Sequence, residues 1–312
     1  MYILSILSTK VMPFISPQSI THKTARIVYK KYIFYGGILK PQYFFYIYNS
    51  MKKTLLLLFL FCFTAQAQEI GIPVKFMQSS KNPPQRYIGT DAFGWEYTIA
   101  NNEFRKTKDG KSVKYQNVGL GEIYRVDIQN PLQIVLFYRK FNSVVLLDNQ
   151  LNQTATINFS ALPTELIAEA ASLASQNRLW IYDITTQQIG LYDPMRNNFR
   201  TLTPPFNDGI KYYQSDYNYF YWIDNAGKCF TVNLFGKVTA LGSVPAFDQA
   251  QILSATQILY SKDNSLYLYD LPAKTRKFVQ INEKSFASFY YASQILSIFT
   301  ESEIIQYKIT FN

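Results

Sequence analysis

Residues 133–148 read QIVLFYRKFNSVVLLD and contain the clearest secondary-structure pattern of the chain. Two runs of β-branched, aliphatic and aromatic residues, 133–138 and 143–148, flank a short turn at residues 139–142. Runs of this length and composition on either side of a tight turn are typical of a β-hairpin. The stretch therefore predicts two paired strands and shows no helical periodicity.

The same hairpin unit recurs along the chain. The other copies cover residues 94–106, 178–193, 219–233, 257–270 and 294–308. The last residues of consecutive copies lie 37 to 45 residues apart. A repeat of about 40 residues made of short strands predicts a propeller blade, because each blade is one four-stranded sheet. Six such units fit the length of the chain.

Two weaker strands are expected to complete each unit. Inner strands, which would line the central axis, are predicted at residues 87–91, 123–127, 252–254 and 286–290. Outer strands are predicted at residues 154–158, 199–202, 238–241 and 278–281. The last unit has no outer strand of its own, so we expect residues 72–76 to supply it, because closing the ring removes an exposed strand edge. Pro73 is acceptable in an edge strand, where a missing donor is tolerated.

The predicted fold is thus all-β, a six-bladed β-propeller whose last blade is closed by the N-terminal strand of the mature chain. Residues 51–68, MKKTLLLLFLFCFTAQAQ, combine two lysines, an apolar run and a small-residue Ala-Gln-Ala cleavage site, in the order of an export signal. The apolar run is about half the ~20 residues that span a bilayer. We therefore expect a spurious or disordered leader at 1–50, a signal peptide at 51–67 and a single propeller domain at 68–312.

Charge and residue usage exclude several classes of function. Residues 1–67 hold eight of the 31 Lys and Arg residues and none of the 21 Asp and Glu residues, so the net charge of +10 falls to +2 beyond residue 67. Nucleic-acid binding needs clustered positive charge, and the basic residues around Lys106 are expected to lie on a solvated edge instead. The one histidine is His22, which removes histidine-based catalysis and metal ligation from the mature chain. Cys229 is expected to be a small core residue.

The first blade carries a family resemblance. Residues 88–99 read IGTDAFGWEYTI, and residues 101–106 read NNEFRK. This stretch resembles the D-x-x-G-x-x-Y blades of the NHL and TolB-like six-bladed propellers, and the Tyr-Asp pairs at 192–193 and 269–270 resemble blade ends of that superfamily. Residues 125–132 and the strands that follow resemble a group of exported bacterial propellers without an assigned activity. The fold class also includes calcium-dependent lactonases, which implies carboxylates on the axis as an alternative.

The candidate binding residues fall into two groups. Tyr213 and Tyr217, close to Asp216, are expected in a loop, where amphipathic rings would contact a protein or a sugar. Carboxylates in or beside the expected inner strands would approach the axis, and these are Asp91, Asp127 and Glu169. The alternative role for all of them is structural, because most such carboxylates satisfy loop amides or arginines such as Arg125.

Two interpretations of function remain open. The first is an exported, non-catalytic scaffold in the periplasm, at the outer membrane or outside the cell, which binds a protein of the cell envelope. It would be a monomer without cofactor, metal, nucleic-acid partner or transmembrane span in the mature chain. The second is a carbohydrate-active or lactonase-like hydrolase, which requires three or more axial carboxylates to converge on one point.

Overall fold

A computed structural model describes residues 71–81 and 86–311, together with Lys52. The expected leader at 1–50 and the expected signal peptide at 51–67 lie outside the described residues, apart from Lys52. Within the described part of the chain, no helix is both long and apolar enough to cross a membrane.

Strands dominate the described residues and follow one another in six blades. Before the first blade come β1 (Ile72–Pro73) and β2 (Lys75–Lys81). Blade one contains β3 (Arg86–Thr90), β4 (Glu96–Ala100), β5 (Glu103–Lys108) and β6 (Lys111–Tyr115). Blade two contains β7 (Arg125–Asp127), β8 (Ile134–Tyr138), β9 (Ser143–Leu147) and β10 (Gln153–Asn158). Blade three contains β11 (Ala168–Leu173), β12 (Leu179–Asp183), β13 (Gln188–Asp193) and β14 (Asn198–Thr201).

The second half of the chain repeats this arrangement. Blade four contains β15 (Tyr212–Ser215), β16 (Tyr219–Ile223), β17 (Lys228–Asn233) and β18 (Val238–Ser243). Blade five contains β19 (Gln249–Ile252), β20 (Gln257–Lys262), β21 (Ser265–Asp270) and β22 (Thr275–Gln280). Blade six contains β23 (Ser288–Ala292), β24 (Ile295–Phe299) and β25 (Glu303–Lys308). Short 3-10 turns lie at Val118–Leu120, Arg139–Phe141, Phe159–Ala161 and Ser175–Asn177.

The blades are antiparallel sheets in which consecutive strands are neighbours. The first strand of each blade lies innermost, because residues of β3, β7, β15, β19 and β23 line one shared axial cavity.

The predicted six-bladed all-β fold is confirmed. Two inner strands had not been predicted, β11 and β15, and the predicted strand at 252–254 was wrong. Leu253 and Ser254 donate their backbone N–H groups to the Gln257 carbonyl and form the turn, so the strand ends at Ile252.

The N-terminal strand closes the last blade, as expected, but with different bounds from the predicted 72–76. Strand β2 pairs antiparallel with β25, with Lys75 opposite Lys308 and Lys81 opposite Glu303. Strand β1 instead pairs parallel with β22 and adds a fifth strand to blade five. Residues 72–81 therefore connect blade five with blade six. Pro73 lies in an edge strand, where its missing donor is tolerated.

Packing between blades explains why the central strands are apolar on both faces. In β8 every residue is buried. Ile134, Leu136 and Tyr138 belong to a cluster shared with blade one. The alternate residues Val135 and Phe137 pack with residues of blade three. Because successive side chains of a strand point to opposite faces, one hydrophobic run contributes to two neighbouring seams. Here a seam means the contact between two adjacent blades.

The predicted turns are confirmed, but one lysine is buried where an exposed position was expected. Asp109 and Gly110 have positive φ angles of 49° and 75°, and Gly227 has 79°, as their turn positions predict. The expectation of a solvated edge around Lys106 was wrong for that residue, which is only 3% exposed. Its Nζ donates to the Asn149 carbonyl of blade two and lies 4.4 Å from the centre of the Trp95 ring. An aromatic face and a carbonyl together allow the ammonium group to be buried.

Candidate binding site

The axial cavity has a volume of about 800 Å³. The inner strands that line it run in the same direction, as two contacts between blades five and six show. Gln249, at the start of β19, donates through Nε2 to the Ala287 carbonyl just before β23, at 2.6 Å. Gln251, further along β19, donates to the Tyr291 carbonyl of β23, also at 2.6 Å. The first residues of the inner strands therefore share one end of the channel, which we call the entry end.

Three basic residues lie at the entry end, each at or just before the start of an inner strand. Arg86 donates from Nη1 to the Ile123 carbonyl at 3.2 Å and from Nη2 to the Tyr124 carbonyl at 2.8 Å. Lys211 lies with its Nζ 4.1 Å from the centre of the Phe247 ring. All of these groups border the same cavity as Arg125.

Arg125 reaches from blade two to blade four. Its Nη2 donates to the Tyr213 carbonyl at 2.6 Å, and its guanidinium lies 4.1 Å from the centre of the Tyr213 ring. Blade three lies between these two blades in the chain, so this contact connects blades that are not neighbours along the ring. Gln129 also connects blade two with blade four. With its amide oriented to satisfy both bonds, it donates to the Ser215 carbonyl and accepts from the Tyr217 N–H, both at 3.0 Å.

The pKa values of the arginines reflect their crowding. Burial, followed by the positive charge of Arg125, lowers the pKa of Arg86. Burial also acts to lower the pKa of Arg125, but the neighbouring Tyr213, Tyr212 and Asp127 outweigh burial, and its pKa is raised. The charge of Arg125 therefore opposes the positive charge of Arg86.

Asp127 is the acidic residue that faces these arginines most directly. Its Oδ1 accepts from the Gln129 N–H at 2.9 Å, and its Oδ2 accepts from the Leu173 N–H of blade three at 2.8 Å. Burial raises the pKa of Asp127, although these two hydrogen bonds and Arg125 oppose the shift. Both carboxylate oxygens are therefore engaged by backbone groups and hold blade two against blade three.

On the other side of the channel, neutral side-chain amides connect neighbouring blades. Gln214 of blade four donates to the Ile252 carbonyl at 3.0 Å and accepts from the Ile252 N–H at 3.1 Å. Gln251 of blade five makes the same pair of bonds with Tyr291 of blade six. We call Gln214 and Gln251 the amide half of the channel wall, and Arg86, Arg125 and Asp127 the charged half.

A second pocket of about 500 Å³ opens at the seam between blades two and three. Its lining includes three large apolar side chains with exposed fractions of 42% for Tyr124, 43% for Ile167 and 46% for Ile184. Arg139 and Glu169 form an ion pair of 2.5 Å in the same lining. The guanidinium of Arg139 also lies 5.0 Å from the centre of the Tyr124 ring. We call this region the seam pocket.

The aromatic candidates from the sequence lie in different environments. Tyr213 was expected in a loop but lies in the inner strand β15. It is 5% exposed there, and its backbone lies opposite Trp222 of β16. Tyr217 does lie in a loop and is 40% exposed. Asp216 accepts from the backbone N–H groups of Asn218 and Tyr219, both at 2.8 Å, and so shapes that loop. A binding role for Tyr217 stays a prediction.

The three axial carboxylate candidates do not converge. Asp91 accepts from the N–H groups of Phe93 and Trp95 and from the Tyr97 hydroxyl at 2.9 Å, which fixes the turn after β3. Asp127 lies in the channel wall, and Glu169 pairs with Arg139 in the seam pocket. Among the residues that the structure describes, no group of three or more His, Cys, Asp or Glu is placed to hold a metal ion.

The basic residues of the entry end were not among the candidates from the sequence, and of the seam pocket only Glu169 was. A signal was present for the entry end: a basic residue lies at or just before the first strand of blades one, two and four, namely Arg86, Arg125 and Lys211. Aligning the repeats by their inner strands would have placed these residues together. The seam pocket has no such signal, because Tyr124, Ile167 and Ile184 come from two linkers and one hairpin turn.

Comparison with known proteins supports the fold. No protein-family model and no curated protein matches the chain. Selenomethionine-substituted virginiamycin B lyase from Staphylococcus aureus is 12% identical, with a TM-score of 0.51 over 78% of this chain and 97% of that chain. A streptogramin B lyase is 9% identical, with a TM-score of 0.51 over 75% and 98%. At such low identity the likeness shows the fold alone: the chain is a six-bladed β-propeller. The finer resemblance to NHL and TolB-like blades stays a prediction.

Proposed function

We propose that the chain is an exported, non-catalytic propeller that binds a protein of the bacterial cell envelope through the seam pocket. The observation that carries this proposal is the exposure of Tyr124, Ile167 and Ile184 around the Arg139–Glu169 ion pair. Large apolar side chains grouped around an arginine are typical of the centres of protein interfaces. Phe141, which is 49% exposed, belongs to the same short turn as Arg139.

Export is proposed from the sequence of residues 51–67. The lysine pair, apolar run and Ala-Gln-Ala site are the features that signal peptidase requires. The nearly balanced charge beyond residue 67 supports a protein partner over nucleic acid, which demands clustered positive charge. The propeller is proposed to act as a monomer, with the periplasm, the outer membrane or the cell exterior as its location.

The hydrolase alternative is less well supported by the geometry. Asp91, Asp127 and Glu169 are each bound by protein groups and serve a turn, a blade seam and an ion pair. Lyase chemistry is not carried over either. A histidine-to-alanine variant of virginiamycin B lyase from Staphylococcus aureus, solved with quinupristin, is catalytically inactive; it is 12% identical to this chain, with a TM-score of 0.50 over 78% of this chain and 97% of that chain. The single histidine of this chain is His22, before the proposed signal peptide.

The proposal is tested by affinity capture from the native envelope. The full chain carries a C-terminal tag, and captured proteins are identified by mass spectrometry for wild type, Ile184→Asp and the matched control Leu132→Asp. Leu132 is 66% exposed and lies in the loop at the opposite end of its blade. We expect one envelope protein with wild type and control and its loss with Ile184→Asp. Equal capture by both variants, or no partner at all, would contradict the proposal.

Export is tested on the same preparations. The N-terminal sequence of the purified protein is expected to begin at Gln68, directly after the Ala-Gln-Ala site. A protein that retains residues 51–67 would contradict the predicted cleavage.

A further inference from the structure

The entry end of the channel holds more basic than acidic side chains. Arg86, Arg125 and Lys211 border the cavity, and none of the ion pairs in the described part of the chain includes any of them. Exposed lysines commonly lack a partner, but two neighbouring guanidinium groups in a concave site are a different case. The Arg86 guanidinium is held at the carbonyls of Ile123 and Tyr124, directly before Arg125, so one anion at this wall could interact with both side chains.

The hydrogen bonds of these residues position the charge without cancelling it. Arg86 donates to two backbone carbonyls, and Arg125 donates to one. A guanidinium carries five N–H donors in a rigid fork, so donors remain on both side chains. Carbonyl oxygens and the Tyr213 ring hold the groups in place while leaving the net charge at the cavity wall.

Two acidic residues also border the cavity, Asp127 and Asp248. Both oxygens of Asp127 accept from backbone N–H groups, and Asp127 is among the groups that raise the pKa of Arg125. Asp248 pairs with Lys262 at 3.0 Å, and this pairing, with a smaller contribution from Lys211, lowers the pKa of Asp248. Three basic and two acidic side chains thus line the cavity, which leaves an excess of one positive charge.

We propose that the entry end of the channel binds a small organic anion through its carboxylate or phosphate group. Arg86 and Arg125 would contact the anionic group, and Lys211 would contribute charge from blade four. The rings of Tyr87 and Tyr290, whose centres lie 5.6 Å apart in the cavity wall, offer an apolar surface to the rest of the ligand. A volume of about 800 Å³ is in the range of small-molecule sites. This inference does not depend on the protein partner proposed above.

The amide half of the wall argues against a purely structural role for the charges. Gln214 and Gln251 connect neighbouring inner strands with neutral groups that donate and accept at once. Neutral amides avoid the desolvation cost of partly buried charge. Arginine in the equivalent region is explained by recognition of an anion, for which its planar fork is suited.

The test is isothermal titration calorimetry on protein produced from the full chain. The probes are citrate and inorganic phosphate, titrated at constant ionic strength because surface charges are screened by salt. The variants are Arg86→Gln and Lys211→Gln, and the matched controls are Arg200→Gln and Lys277→Gln on the exposed outer strands β14 and β22. We expect saturable binding to wild type and both controls, with a Kd about tenfold weaker in Arg86→Gln.

The two probes separate the possible sources of the anionic group. Tighter binding of citrate indicates a carboxylate ligand, and tighter binding of phosphate indicates a phosphate ligand. Arg86→Lys keeps the charge but not the fork, so its affinity is expected to fall between those of wild type and Arg86→Gln. Thermal unfolding checks that each variant is folded. Absence of saturable binding by either probe, or equal Kd values in the variants and the controls, would overturn the proposal.

Discussion

The two halves of the channel wall solve one structural problem with different chemistry. Inner strands have an edge that no strand of their own blade covers, so their backbone groups need partners from the next blade. In the amide half, Gln251 satisfies the N–H and the carbonyl of Tyr291 together. In the charged half, Asp127 accepts from the Leu173 N–H, while Arg86 donates to the carbonyls of Ile123 and Tyr124.

The two halves differ in what each needs to be stable. A glutamine side chain exchanges both kinds of hydrogen bond without charge, so the amide half needs no ligand to be complete. The charged half pays for desolvation and for repulsion between Arg86 and Arg125. We infer that stability depends more on the amide half and that ligand binding depends on the charged half.

The largest effect is expected from breaking the amide half. Gln251→Leu leaves the N–H and the carbonyl of Tyr291 without their partner, and each unsatisfied group costs about 1–3 kcal/mol. Because the site is partly exposed, we expect the free energy of unfolding to fall by about 3 kcal/mol, measured by denaturant titration. The control Gln150→Leu, at an exposed turn, is expected to change it by less than about 0.5 kcal/mol. Equal losses in both variants would contradict the role of Gln251.

The charged half is broken by Arg125→Met, which removes the bond to the Tyr213 carbonyl and the contact with its ring. A hydrogen bond from a charged group is worth about 1.5–3 kcal/mol. We expect a loss of about 2 kcal/mol in the free energy of unfolding, because relief of the repulsion with Arg86 offsets part of the cost. Arg200→Met, on an exposed outer strand, serves as the control. A loss larger than that of Gln251→Leu would reverse the comparison between the two halves.

A smaller effect is expected at Tyr213, which links blade four to blade three. Its hydroxyl lies 3.4 Å from both the N and the O of Ala171, which is long for a hydrogen bond. Tyr213→Phe keeps the ring under Arg125 and loses only these contacts. We expect the free energy of unfolding to fall by about 1 kcal/mol. An unchanged stability would show that the hydroxyl contacts do not hold the blades together.

The smallest effect is a pH dependence that belongs to the charged half. Because burial raises the pKa of Asp127 above its usual 3.8, the folded state keeps the proton to higher pH than the unfolded state. The stability from this group is complete below that usual value and is lost as pH rises through the raised pKa. Relative to Asp127→Asn, wild type should therefore lose stability as pH rises above about 4.

The amide half provides the control for that measurement. Gln214→Leu removes an uncharged group, so its difference from wild type in the free energy of unfolding should not change over the same pH range. Parallel pH profiles for Asp127→Asn and wild type would contradict the raised pKa.

Much of the fold could be predicted from the sequence, because apolar hairpins such as β8 and β9 recur at a regular interval. The strands nearest the axis were harder. The sequence predicts Tyr213 in a loop, but Tyr213 lies in β15, because inner strands face a wet channel and lose the apolar alternation. β1 has two residues, too few for any pattern. Lys106 is buried by Trp95, a contact that depends on register.

Less of the candidate site could be predicted. Asp127 was correctly placed near the axis, but the sequence could not show that its oxygens are used by Gln129 and Leu173. The role proposed for Arg86 and Lys211 depends on both side chains bordering one cavity, which requires the closed fold. These residues are far apart in the sequence and border one cavity only because several blades bring them to the same end of the channel.

A crystal structure of the protein grown in the presence of citrate would show directly whether the entry end binds an anion. We expect citrate at the entry end, with a carboxylate about 3 Å from the guanidinium nitrogens of both Arg86 and Arg125. A structure with citrate bound elsewhere, and only water beside these two arginines, would contradict it.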